Sequence, residues 1–148
     1  MHRRAARAAS VAAFASITAL VACGPSKSVQ CTEVIGLVND ATKRLEEGPT
    51  KADATPAEKI ATLRAMAAGM SKVADDLSKV VTSAPELKDF SLRYQKLARE
   101  FARLGKEMAD GAEQNDIEKY NLAKEALDKV ADDEGPLVTN VNEFCKGG

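Results

Sequence analysis

The chain predicts an all-α fold, an antiparallel up-down-up-down four-helix bundle. Four stretches place apolar side chains at alternating spacings of three and four, the seam along which helices pack knobs into holes. Proline, glycine and capping residues punctuate those stretches at the places where helices start and stop. No segment alternates apolar and polar residues as a half-buried strand does. The short connections make successive helices antiparallel neighbours.

Ahead of the bundle, His2, Arg3, Arg4 and Arg7 form a cationic start, and Ala8 to Leu20 an alanine-rich apolar run diluted only by Ser10, Ser16 and Thr18. This is the anatomy of a signal peptide, and the run falls short of the roughly 20 residues that a membrane-spanning helix needs. Arg3-Arg4 lacks the hydrophobic consensus expected after a twin-arginine pair. The run ends in Leu20-Val21-Ala22-Cys23, followed by Gly24-Pro25-Ser26. That tetrapeptide resembles the lipobox of bacterial lipoproteins, and the resemblance covers only about the first 23 residues. It implies signal cleavage between Ala22 and Cys23, a thioether from the Cys23 thiolate to a diacylglyceryl group, and acylation of the new amino terminus. Several acyl chains hold a protein to a bilayer where one holds it marginally. Gly24 stands where some enteric lipoproteins carry an aspartate as an inner-membrane retention signal, so the expected address is the outer membrane, facing the periplasm.

The expected organisation is a signal peptide over 1–22, a lipidated tether over 23–28 and one bundle domain over 29–148. From Gly24 to Lys27 the tether spans no more than roughly 15 Å. Removing residues 1–22 takes away three arginines and no acid, leaving 126 residues with 18 basic against 22 acidic side chains, a net charge of −4. No nucleic-acid partner is expected of such a domain. The chain's one histidine is His2, so the mature part is without histidine. That excludes His-ligated haem, Glu-x-x-His di-iron sites, His-containing zinc sites and histidine-based triads. No catalytic residue, metal or cofactor is expected. Asp75-Asp76 and Asp132-Asp133-Glu134 lack an EF-hand pattern and read as solvated helix faces.

Helix 1 is expected from near Val29 to Glu47, on Cys31, Val34, Val38, Ala41 and Leu45, with Gly48-Pro49 ending it. Thr55-Pro56-Ala57-Glu58 combines a capping box with proline at the first helical position. Helix 2 follows on Leu63, Met66, Met70, Val73, Leu77 and Val80, and Ala84-Pro85 stops it. Helix 3 carries Leu87, Phe90, Tyr94, Leu97, Phe101, Leu104 and Met108, closed by Asp110-Gly111. Asn115 with Glu118 caps helix 4, on Ile117, Tyr120, Ala123, Leu127 and Val130. Glu134 then falls on the seam, and Pro136 predicts a kink or break near Gly135. Leu137, Val138, Val141, Phe144 and Cys145 resume the apolar face.

In an even-numbered antiparallel bundle the start of helix 1 and the end of helix 4 share one end, which predicts a Cys31–Cys145 disulfide in an oxidising compartment. On the outer face of helix 3, Lys96, Arg99, Arg103 and Lys106 form one positive stripe on an acidic domain, either laced by pairs such as Lys96 with Glu100 and Arg103 with Glu107 or meeting an anionic envelope component or acidic protein. The function these features imply is a non-enzymatic structural or interaction module of the envelope. The alternative is a carrier of an apolar ligand, in a cavity where Ala67, Ala68, Gly69 and Ala74 thin the core.

Overall fold

The computed structural model describes residues 25–46 and 54–147. They form four helices, α1 (Lys27–Glu46), α2 (Pro56–Leu77), α3 (Pro85–Glu113) and α4 (Ile117–Lys146), packed as a bundle, with no strand among the described residues. The expected stop at Gly48-Pro49 lies outside them. Helix α3 packs most extensively, against both α2 and α4, and α1 closes the group by touching α2, α4 and α3. Among the described residues α2 and α4 do not meet.

The main core draws on all four helices: Val34, Val38 and Ala41 of α1, Met70, Val73 and Leu77 of α2, Leu87, Phe90 and Tyr94 of α3, and Leu137 and Val141 of α4. A smaller cluster of Leu104, Met108 and Ala123 lies farther along α3 and α4, flanked by Leu63, Tyr120 and Leu127. The inward surface of α3 is wider than one seam. Beside its large residues runs a second stripe, Ser91, Gln95, Ala98, Ala102, Gly105 and Ala109, all buried. A Cβ added at Gly105 would lie 3.4 Å from the Ala67 Cβ and 3.7 Å from the Leu63 carbonyl oxygen, so small side chains bring α2 and α3 close. Leu97 and Phe101, expected on the seam, are only half-buried because α3 turns this small stripe inward too.

Helix α2 begins as expected: the Thr55 N–H donates to Glu58 Oε2 at 2.7 Å, and Thr55 Oγ1 accepts from the Glu58 N–H at 3.3 Å. It ends at Leu77, seven residues before the expected stop at Ala84. Val80, Val81 and Thr82 are β-branched and poor helix formers, and the connector has other partners for its backbone. Ser91 Oγ donates to the Leu77 carbonyl at 3.4 Å, and the Ser83 N–H goes to Gln30.

At the far end of α3 Gly111 is helical rather than terminal. Asn115, at φ 54°, follows the last turn, with the Asn115 N–H donating to Ala112 O at 3.3 Å and the Asp116 N–H to Gly111 O at 2.8 Å. This is a Schellman closure with asparagine in the left-handed position. Asn115 therefore ends α3, and the N-cap of α4 is Asp116, whose Oδ1 accepts from the Lys119 N–H at 3.0 Å. Helix α4 is continuous through Gly135-Pro136, so of the expected kink or break the break does not occur. Proline there removes one donor to the Asp132 carbonyl, while Leu137 and Val141 beyond it are buried and hold the last turns to the core.

Candidate functional site

The end of the bundle nearest the N-terminal segment is built around Gln30. It lies four residues before Val34 on the buried stripe of α1 and is 1% exposed. Its Nε2 donates to the Pro25 carbonyl at 2.6 Å and to Ser83 Oγ at 2.8 Å, and its Oε1 accepts from the Ser83 N–H at 2.7 Å. One side chain thus ties the segment entering α1 to the α2–α3 connector, with every polar atom of the amide engaged, as burial requires. Ser26 closes the helix start, its Oγ accepting from the Val29 N–H at 3.4 Å and its carbonyl from the Gln30 N–H at 3.0 Å.

The next residue, Cys31, is disulfide-bonded to Cys145 with the Cα atoms 5.8 Å apart, joining the start of α1 to the last turn of α4. Lys27 Nζ lies 4.1 Å above the Phe144 ring, a cation–π contact across the same junction. Val29 and Val81 are exposed here, at 55% and 71%. Of the residues expected to act at this end, Cys31 and Cys145 are brought together, whereas Ala22 and Cys23 lie outside the described residues.

The positive stripe is on the surface of α3, but its charges are answered. Arg99 reaches Asp75 of α2 at 3.8 Å, Arg103 pairs with Glu107 at 2.6 Å and with Glu100, and Lys106 with Asp110 at 2.7 Å. The Arg103 guanidinium holds the Glu100 carboxyl below the usual carboxylate range, and the Lys106 ammonium does the same for Asp110. Lys96 is exposed and lies within electrostatic reach of Glu100. Arg99, Arg103 and Lys106, with Arg64 of α2, rim an open groove of about 610 Å³ floored by Ala67, Ala68 and Ala102. Arg64 itself reaches Glu113 at 2.5 Å and Asp110 at 3.4 Å.

The acidic runs are partly drawn into the fold. Asp76 is paired with Lys72 at 2.5 Å and Lys79 at 3.0 Å, which lower its pKa. Glu134 accepts a 2.6 Å hydrogen bond from the hydroxyl of Tyr94, whose side chain is wholly buried. Among the described residues no group of three or more His, Cys, Asp or Glu is placed to hold a metal ion. No described helix is long and apolar enough to cross a membrane.

Gln30, Ser83 and Arg64 are site residues that the seam pattern alone does not single out, whereas Glu134 stands out as an acid on the seam of α4. Gln30 and Glu134 carry a detectable signal, a polar residue on an apolar stripe; Ser83 and Arg64 carry none. Comparison with protein-family models, with curated proteins and with solved structures finds no match.

Proposed function

We propose that the chain is a lipid-anchored protein of the bacterial cell envelope, and that its bundle is a non-enzymatic structural or protein-interaction module. The observation that carries this reading is Leu20-Val21-Ala22-Cys23 behind a cationic and then apolar start. The Cys31–Cys145 disulfide fits a compartment where thiols oxidise. Its position, with the contacts of Gln30, fits the up-down-up-down order of the helices. An outer-membrane address facing the periplasm follows from Gly24 after the lipidated cysteine.

The close packing of Gly105 on Ala67 supports the interaction reading over the carrier reading. The small residues of α2 bring two helices together there, and the space beside them is a surface groove with a charged rim. An acidic or anionic partner at Lys96, Arg99, Arg103 and Lys106 belongs to this reading, in competition with Asp75, Glu100, Glu107 and Asp110. Mass spectrometry of the mature N-terminus tests the anchor: a triacylated or diacylated Cys23 is expected, and an unmodified Cys23 or cleavage elsewhere would remove the basis for the address. Affinity purification from envelope fractions tests the module. Recovery of a defined protein partner is expected, and recovery of a stoichiometric apolar ligand instead would favour the carrier.

A further inference from the structure

The acyl chains and the bundle are joined by almost no free chain. Pro25 is already held by Gln30, whose amide is buried and also grips Ser83. Cys23 precedes Pro25 by two residues, a reach of roughly 7 Å. An anchor at Cys23 therefore leaves the bundle neither the length of leash nor the slack to hang away from the lipid. It brings one end of the domain, and only that end, to the headgroups.

What that end presents suits a bilayer surface. Val29, next to Gln30, and Val81, two residues from Ser83, are solvent-exposed valines on the two segments that the Gln30 side chain joins. Isolated exposed valines need no explanation elsewhere on a protein; here each lies within two residues along the chain of the Gln30–Ser83 contact that also holds Pro25. Between α1 and α4, beside the disulfide, lies an open groove of about 480 Å³ lined by Lys27, Thr32, Asn39, Asn142 and Lys146. Its Thr32 hydroxyl is already given to the Ser28 carbonyl at 2.9 Å, so what it offers a phosphate headgroup is the positive charge of Lys27 and Lys146.

We infer that the end of the bundle formed by Pro25, Val29 and Val81 lies directly on the phospholipid surface, and that Gln30 fixes this pose by clamping the tether to the α2–α3 connector. The inference rests on acylation of Cys23. The long axis of the bundle then stands away from the membrane, and the first turn of α4, with exposed Ile117, lies far from it among the described residues. From Cys145 to Ile117 along α4 is roughly 40 Å at 1.5 Å per residue.

The chain contains no tryptophan, so a single introduced indole reports its own surroundings. Acylated Val81→Trp and Ile117→Trp proteins, both changed at exposed positions, are reconstituted into phosphatidylcholine vesicles carrying bromine on the acyl chains near the headgroup. The expected result is loss of most of the emission of Trp at 81 and none at 117. A Gln30→Ala change in the Val81→Trp protein, with helicity and the disulfide verified, is expected to restore much of that emission while the protein stays on the vesicles. Equal quenching at 81 and 117, or quenching at neither, in protein that mass spectrometry shows to be acylated overturns the pose and leaves the anchor standing. Protein unmodified at Cys23 overturns both. Quenching at 81 that is unchanged by Gln30→Ala removes Gln30 as the clamp.

Discussion

The hydroxyl of Tyr94, a side chain with no exposed surface, donates to Glu134 at 2.6 Å across the α3–α4 interface. The carboxylate that interrupts the apolar seam of α4 is there as an acceptor for the one phenol of α3. The two halves of the pair are unequal. Glu134→Ala strands a buried hydroxyl and is expected to destabilise by about 1–3 kcal/mol, whereas Tyr94→Phe leaves a carboxylate able to turn to water and is expected to lower stability by about 0.5–1.5 kcal/mol. Chemical denaturation of both variants and the double variant checks the asymmetry.

Burial first, and then the hydrogen bond to Glu134, push the Tyr94 phenol well above the usual tyrosine range. The folded protein thus holds that proton more tightly than the unfolded chain. This contribution is complete below the unfolded tyrosine pKa of about 10, and is lost as pH rises from there through the folded value. In a Tyr120→Phe background, phenolate absorbance is expected to appear only as helicity is lost in alkali. A phenolate forming in protein with intact helicity would contradict the burial.

Reduction of the Cys31–Cys145 bridge is expected to lower stability substantially. The bond spans a sequence separation of 114, for which the chain-entropy account gives about 4–5 kcal/mol. Melting with and without reductant, and of the Cys31→Ser/Cys145→Ser variant, measures it. Two thiols open to alkylation in protein isolated without reductant would rule the bridge out.

Two glycines in helices are expected to respond in opposite directions to alanine. A Cβ at Gly111 would lie 2.9 Å from the Tyr120 backbone nitrogen and 3.2 Å from the Asp116 carbonyl oxygen, so the α3–α4 turn must shift, at about 1–3 kcal/mol. A Cβ at Gly69 meets nothing within 4 Å, so alanine there is expected to stabilise α2 by about 0.8–1 kcal/mol. Thermal melts of the two variants suffice.

The capping box gives an acid-side prediction. Hydrogen bonds from Thr55 hold the Glu58 carboxyl below the usual range. That contribution is present above the unfolded glutamate pKa of about 4.3 and fades as pH falls through the lower folded value. Thr55→Ala is expected to lower the melting temperature at neutral pH, with a difference from the parent that shrinks in acid. A difference independent of pH would mean that the carboxylate takes no part.

Reversing Lys96, Arg99, Arg103 and Lys106 is expected to preserve helicity and to lower the melting point slightly, because like charges then face Asp75, Glu100, Glu107 and Asp110. Screening over about 8 Å at physiological salt makes that drop smaller as salt rises. If the stripe meets an anionic partner, the reversed protein loses it in envelope pull-downs; retention of every partner in low and high salt alike would leave the stripe a wetted surface.

How much of this was legible in the chain depended on whether local chemistry decided it. The start of α2 was, because Thr55, Pro56 and Glu58 satisfy each other within one turn. So was the Cys31–Cys145 pairing, which needs only helix parity and two cysteines on apolar faces. The end of α2 was not: whether Val80 continues a seam or leaves the helix depends on Gln30, 53 residues away from Ser83. The second stripe of α3 escaped because serine, alanine and glycine carry no apolar signal until a neighbouring backbone approaches them. Asn115 and Asp116 are both good capping residues, and only the left-handed backbone at Asn115 separates the end of α3 from the start of α4.

The disulfide also decides how the molecule carries load. Its two cysteines bracket nearly all of the helical chain, so tension applied between the residues ahead of Cys31 and those after Cys145 runs through one covalent crosslink and bypasses the bundle. Stretched that way, the oxidised protein yields almost no length; once reduced, it becomes an extensible spring whose helices peel off under the same pull.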